Sequence, residues 1–259
     1  MDLGISGKHA IVCASSKGLG RACAMSLAEN GVSVVINGRD QKALDATARD
    51  IEGAHDVEVI RVQADVSTPE GQRALLEACP NPDILINNNG GPPFKDFREL
   101  SRDAMVAGVT MNMITPIELI QKVIDGMAER RFGRIVNVTS LSVKMPIPGL
   151  DLSSGARAGL TSFLAGVAPK VAEHNVTINN ILPGFFLTDR QNAALNKAME
   201  ERGLSLEEAI TERAATVPAK RFGDPAEFGE ACAFLCAAQA GYITGQNLLI
   251  DGGRFPGAF

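Results

Sequence analysis

The chain contains no tryptophan and a single tyrosine, Tyr242, among its 259 residues. Its three histidines, His9, His55 and His174, are too scattered to form a His–Asp–Ser set or a metal-binding spacing. No run approaches the ~18 apolar residues of a membrane span. The first residues, Met1-Asp2-Leu3-Gly4-Ile5-Ser6-Gly7, lack the basic and apolar regions of a secretory signal. Positive charge is scarce as well: 25 Lys and Arg against 30 Asp and Glu leave a net charge of −5. No basic stripe with interleaved aromatics occurs, which argues against a nucleic-acid surface. The five cysteines, Cys13, Cys23, Cys79, Cys232 and Cys236, are odd in number and include no CxxC. Cys232 and Cys236 lie one helical turn apart, but no histidine or further cysteine accompanies them. They read as core thiols, and no metal is expected. These features predict a cytoplasmic protein whose partner is a small molecule, not a nucleic acid or a membrane.

What is present is an alternation of short β-branched runs with helical stretches. His9–Cys13, Val32–Ile36, Val57–Gln63, Ile84–Asn87, Arg134–Val138, Thr177–Leu182 and Asn247–Ile250 read as strands. They are nearly continuous apolar runs, as expected of strands covered on both faces. The helical stretches have recognisable ends. Asn30-Gly31 stops the first, Thr68-Pro69 starts the third, and Asp224-Pro225-Ala226-Glu227 starts the last with an acidic cap and a Glu three residues on. The pattern predicts an α/β fold: one Rossmann-type domain over residues 1–259, with a doubly wound parallel sheet of about seven strands. A polar, helix-prone insertion at about residues 188–221 interrupts the rhythm just after a strand end, where ligands bind in such sheets. It is a candidate lid, and equally a solvated helical pair.

The first strand runs into Cys13-Ala14-Ser15-Ser16-Lys17-Gly18-Leu19-Gly20-Arg21. Glycines opening a helix let a pyrophosphate approach the backbone, and the helix N-terminus offers unpaired N–H groups. The second strand ends Asn37-Gly38-Arg39-Asp40. An acid at this point suits a free ribose 2′-hydroxyl, and a base suits a 2′-phosphate. Arg39, with Lys17 as a second charge, favours NADP(H). Asp40 keeps NAD(H) possible, although it also suits the N-cap of the following helix.

Taken together and in order, these segments resemble the short-chain dehydrogenase/reductase family over essentially the whole chain. The family's TGxxxGxG turn aligns with Cys13–Gly20, its Asp-Val pair with Asp65-Val66, and its NNAG with Asn87-Asn88-Asn89-Gly90. Its helix asparagine aligns with Asn112 and its catalytic serine with Ser140. Its PGxxxT aligns with Pro183–Thr188, and its ITGQ and DGG with Ile243–Gln246 and Asp251–Gly253. The likeness is nearest to 3-oxoacyl-acyl-carrier-protein reductase-like members. It implies a homodimer or homotetramer and an enzyme that moves a hydride between a nicotinamide and a carbonyl/alcohol pair. It implies cofactor contacts from Ser15, Ser16, Lys17, Gly18, Leu19 and Gly20, then from Arg39, Asp65, Val66, Asn88, Gly90, Arg157, Phe186 and Thr188.

The family's YxxxK pair is missing. Its two positions fall on Ser153 and Arg157. In the family the tyrosine exchanges a proton with the substrate oxygen, and the lysine holds the ribose and lowers the tyrosine pKa. Ser153 reaches about 4 Å less far than a phenol and does not ionise near neutrality. Arg157 can position a ribose but keeps its proton. Tyr242, just before the last strand, reads as a packing residue. The proton donor is then Lys144, four residues after Ser140, or water ordered by Ser153 and Asn112. Phe94, Met145, Pro146, Ile147, Phe185 and Phe186 are candidates for an apolar pocket wall. Two other readings fit the same residues. One is an enolising or lyase enzyme with Lys144 as base; the other is a catalytically weak dinucleotide-binding regulatory subunit.

Overall fold

Side chains alternate across each strand, and this alternation builds two cores on one sheet. The computed structural model describes residues 2–258, except for the side chains at 190, 193, 194 and 197. The strands are β1 (His9–Val12), β2 (Ser33–Gly38), β3 (Val59–Gln63), β4 (Ile84–Asn87), β5 (Gly133–Val138), β6 (Val176–Pro183) and β7 (Asn247–Ile250). They pair in parallel in the order β3-β2-β1-β4-β5-β6-β7. This is the doubly wound sheet expected from the alternating runs.

On one face Val12, Ile36, Ile86 and Val136 pack with Leu27, Leu44 and Phe228. These come from α1 (Gly18–Glu29), α2 (Gln41–Ala54) and α9 (Pro225–Cys236). On the other face Ile11, Val35, Leu85 and Ile135 pack with Leu75, Leu119, Val123 and Leu160. These helices are α3 (Pro69–Ala78), α5 (Thr115–Glu129) and α6 (Asp151–Ala165). Cys23, Cys232 and Cys236 lie fully buried in the first core. The helix starts follow the local chemistry. Asp40 accepts from the N–H groups of Lys42 and Ala43, Thr68 caps α3 ahead of Pro69, and Asp224 and Glu227 close a capping box on α9.

The outermost strand departs from the expected burial. Leu248 of β7 is exposed and Leu249 only half-buried, because β7 has β6 on one side only. Tyr242 is also not a packing residue. It is fully exposed on the short turn Ala238–Tyr242, at the amino end of β7. Since all strands run parallel, that is the edge opposite the one where β1, β4, β5 and β6 end.

Arg134 holds that opposite edge together. It is completely buried. Its guanidinium donates to the carbonyls of Ala237, Gly133, Asn175 and Ala238 and to Asn175 Oδ1, and it lies 4.4 Å from the Phe132 ring centre. Burial pushes its pKa down from the ordinary arginine range. Two further helices follow β6: α7 (Asp189–Arg202) and α8 (Leu206–Ala215), the latter opened by a capping box of Ser205 and Glu208. The segment before α5 is also helical: α4 (Arg102–Val109) runs into a π-helical turn at Thr110–Ile114.

Candidate active site

The carboxyl ends of the strands form a long cleft in two connected parts. The first, of about 420 Å³, is lined by Lys17, Gly18, Arg39, Asp65, Val66 and Thr188 among others. Its floor is the turn between β1 and α1. Ala14 stands there at φ 46°, in the left-handed region where the family carries glycine. Ser15 is fully buried. Its hydroxyl donates to the Val12 carbonyl and accepts from the Asn37 N–H, so it ties the turn together and does not line the cleft. Gly20 is also absent from the lining. A Cβ there would press on the Ala14 carbonyl oxygen, so glycine is required for the helix to approach the turn. Gly18 does line the cleft, at φ +60°. Lys17, the N-cap of α1, makes no side-chain cap hydrogen bond. The first-turn N–H groups of this long helix therefore have no side-chain acceptor, the arrangement that receives a phosphate.

Arg39 is highly exposed, and its nearest acid is Asp65 at 3.9 Å. An exposed pair this long holds the side chain weakly. Lys17 lies 3.6 Å from Asp189. Asp40 is engaged in capping α2. Two cationic side chains thus flank the end of the cleft where a 2′-phosphate would lie.

The second part, of about 200 Å³, is lined by Ser140, Ser153, Arg157, Phe94, Ile147, Phe185, Phe186, Gln191 and Arg213 among others. Phe186 packs edge-on against Phe228 with ring centres 5.4 Å apart. Met145 and Pro146 are outside this lining. Ser140 follows the end of β5 and begins a short turn in which its Oγ accepts from the Ser142 N–H at 3.0 Å. Arg157 on α6 is buried. Its Nε donates to Ser153 Oγ at 3.3 Å, and its two terminal nitrogens donate to the carbonyls of Val138 (2.6 Å) and Asn89 (3.4 Å). Lys144 does not line this chamber; its Nζ lies 5.5 Å from the Phe255 ring centre.

Behind Arg157 is a pocket of about 20 Å³, lined by Asn87, Asn112, Thr115 and Arg157 among others. That is room for about one water. Asn87 Oδ1, Asn112 Oδ1 and Thr115 Oγ1 are buried and have no hydrogen-bond partner among the described residues. Asn112 sits in the π-helical turn, a helical defect that often occurs at functional sites. Asn87 also begins a ladder of amides across the sheet. Its Nδ2 donates to Asn137 Oδ1 (2.9 Å), Asn137 donates to Asn180 (3.1 Å), and Asn180 donates to Asn247 (2.8 Å). These four residues are register partners on successive strands. Sequence reasoning missed the ladder, as well as Thr115, Arg213 and Arg254, whose roles arise only from contacts between distant segments.

A family model described as enoyl-(acyl carrier protein) reductase matches residues 13–254. The NADPH-dependent reductase BacG of Bacillus subtilis is 31% identical over 96% of this chain and 98% of its own length. The 3-oxoacyl-(acyl-carrier-protein) reductase FabG of Vibrio cholerae is 32% identical over 98% of this chain and 99% of its own. The solved structure of L-sorbose reductase from Gluconobacter frateurii, complexed with NADPH and L-sorbose, superposes with a TM-score of 0.94. It is 29% identical and covers 99% of this chain and 100% of that one. With the parallel sheet, the phosphate turn and Ser140 in place, the chain belongs to the short-chain dehydrogenase/reductase family of oxidoreductases, in the manner of its 3-oxoacyl-carrier-protein reductases.

Proposed function

We propose that the protein reduces a carbonyl to a secondary alcohol with NADPH, and that the proton arrives through ordered water instead of a phenol. One observation carries this reading: Leu19, Asn88, Asn89, Gly90 and Thr188 line both the cleft beside Arg39 and the chamber beside Ser140. A dinucleotide with its phosphates on α1 would extend along this shared wall into the chamber. A relative described as an NADPH-dependent reductase and a solved reductase complexed with NADPH support the choice of cofactor.

NADPH, when bound, supplies the hydride for the carbonyl carbon as the carbonyl π pair moves to oxygen, which takes up one proton. Ser140 Oγ is already an acceptor for the Ser142 N–H, so its own hydroxyl proton is left to hydrogen-bond the substrate oxygen. Arg157 stays charged and exchanges no proton. It orients Ser153 and the Asn89 loop and gives a fixed positive charge for the ribose side of the site. Asn87, Asn112 and Thr115 hold a water behind it, which donates to the two amide oxygens and accepts from the threonine hydroxyl. Because Asn87 donates into the amide ladder, its Oδ1 is a strengthened acceptor for that water. Ser153 Oγ accepts from Arg157 Nε and keeps its hydroxyl proton for the chamber. There it orders solvent water that gives one proton to the substrate oxygen and leaves as hydroxide to bulk. The water behind Arg157 only holds Asn87 and Asn112 in place. Lys144, resting on Phe255, takes no part.

The α7–α8 segment serves as a lid: it follows β6 and brings Gln191 and Arg213 to the chamber wall. Exposed Met105, Val106, Ile114 and Phe163 on and between α4 and α6 supply a face for pairing with further copies of the chain. No helix among the described residues is long and apolar enough to cross a membrane.

The cofactor half of the reading is tested by Arg39→Ala. Calorimetry is expected to show NADPH binding weakened about tenfold or more, with NADH affinity changed less than about threefold, since a charge-assisted contact to the 2′-phosphate is lost. A wild-type protein that binds both cofactors equally, or that prefers NADH, would overturn the assignment.

A further inference from the structure

The wall of the substrate chamber carries positive charge that neither the cofactor cleft nor the proton route uses. Arg213 of α8 lines the chamber together with Ser140 and does not line the cleft beside Arg39. Its guanidinium stacks on Phe185, 4.3 Å from the ring centre. Arg254 stacks on the same ring at 4.0 Å. The Nε atoms of both arginines are buried and have no hydrogen-bond partner among the described residues. Arg254 reaches one neutral acceptor, Thr216 Oγ1 at 3.2 Å.

Three of the neighbouring carboxylates are committed to other cations. Glu212 pairs with Arg202, Glu227 with Arg221, and Asp189 with Lys17. Asp251 accepts from the N–H groups of Gly253 and Phe255. Burial pushes the pKa of both arginines down from the ordinary range; the charge of Arg254 lowers that of Arg213 further, while the nearby Asp251 carboxylate partly offsets the fall at Arg254. Two guanidinium groups brought to one ring, partly desolvated and without an ion pair among the described residues, repel each other. Arginine at such a site presents a planar fork of donors suited to a carboxylate.

Resting on the ketone-reductase reading above, we propose that the substrate is a small oxo acid, whose carboxylate is held by Arg213 with Arg254 beside it while its carbonyl oxygen meets Ser140. Phe185 sets the direction of both guanidinium groups, so it acts as a positioning residue for the anion. The occupant is a free acid and not a carrier-borne chain, because Arg213 lines a chamber of about 200 Å³, with Arg254 stacked on the same Phe185 ring behind its wall.

The test compares acids with their neutral esters. Pyruvate, acetoacetate, levulinate and benzoylformate are assayed against their methyl esters by NADPH oxidation. In every pair that turns over, the acid should exceed the ester in kcat/KM by about tenfold or more. Arg213→Met should remove that advantage, raising KM for each acid by about tenfold more than for its ester. Arg213→Lys should restore part of it. Equal rates for acid and ester, or a parallel loss of both in Arg213→Met, would overturn the anion site and leave the reductase reading intact. If no pair turns over, thermal melting of the NADP⁺-loaded protein with each compound decides. Stabilisation by the acids alone, lost in Arg213→Met, keeps the anion site and removes the reductase reading. No difference between acids and esters overturns the anion site.

Discussion

Ser140→Ala is expected to lower kcat/KM for ketone reduction by about 10²- to 10³-fold, the usual consequence of removing a donor aimed at developing oxyanion charge. The effect should fall mainly on kcat, because the hydrogen bond strengthens as charge grows on the substrate oxygen. NADPH affinity should stay within about twofold, since Ser140 lies in the chamber and outside the phosphate end of the cleft. The variant also loses the Oγ acceptor of the Ser142 N–H, a local bond whose loss costs about 1 kcal/mol of stability and leaves the fold intact. Steady-state kinetics and cofactor titration on the folded variant check this. A wild-type rate would remove Ser140 from the mechanism. A rate loss matched by an equal loss of NADPH binding would make it a cofactor ligand.

The largest effect on stability is expected from Arg134→Met. Its five donor contacts go to backbone carbonyls and to one side-chain amide, and no acid among the described residues pairs with it. One of these carbonyls belongs to Ala237, the C-cap of α9, where a positive charge also meets the negative end of the helix dipole. Methionine fills much of the space but leaves several buried carbonyl groups unpaired. The loss should be about 3–5 kcal/mol in urea unfolding. The site lies at the opposite edge of the sheet, so NADPH affinity of the folded variant should be retained. A loss below about 1 kcal/mol would show that water or neighbouring groups replace the guanidinium at little cost.

The fold was readable because each part of its signal is local. Continuous apolar runs mark the strands, and Thr68-Pro69 and Asp224-Pro225 mark helix starts through contacts within a few residues. The glycine turn was readable for the same reason. Burial at the sheet margin was not, because Leu248 and Leu249 look like core residues until the strand order makes β7 an edge. Tyr242 was misread in the same way. Ser15 lies in the phosphate-turn motif, yet its hydroxyl joins β1 to β2 across 22 residues, a contact that no motif encodes. The interior of the site was the least legible. Asn87, Asn137, Asn180 and Asn247 are unremarkable one by one and become a ladder only in register. Arg213 sits in a polar helix, and its stacking on Phe185 with Arg254 depends on three separate segments.

The central claim is that NADPH reduces a carbonyl here without an ionisable side chain as proton donor. The most direct measurement is the pH dependence of NADPH oxidation with the oxo-acid and ester panel, for the wild type and for Lys144→Met. The account predicts turnover in both, with rates within about threefold and profiles of the same shape, because chamber water ordered by Ser153 delivers the proton. Loss of a limb of the profile in Lys144→Met, together with a rate fall of about 10²-fold or more, would contradict it and make the ammonium group the proton donor.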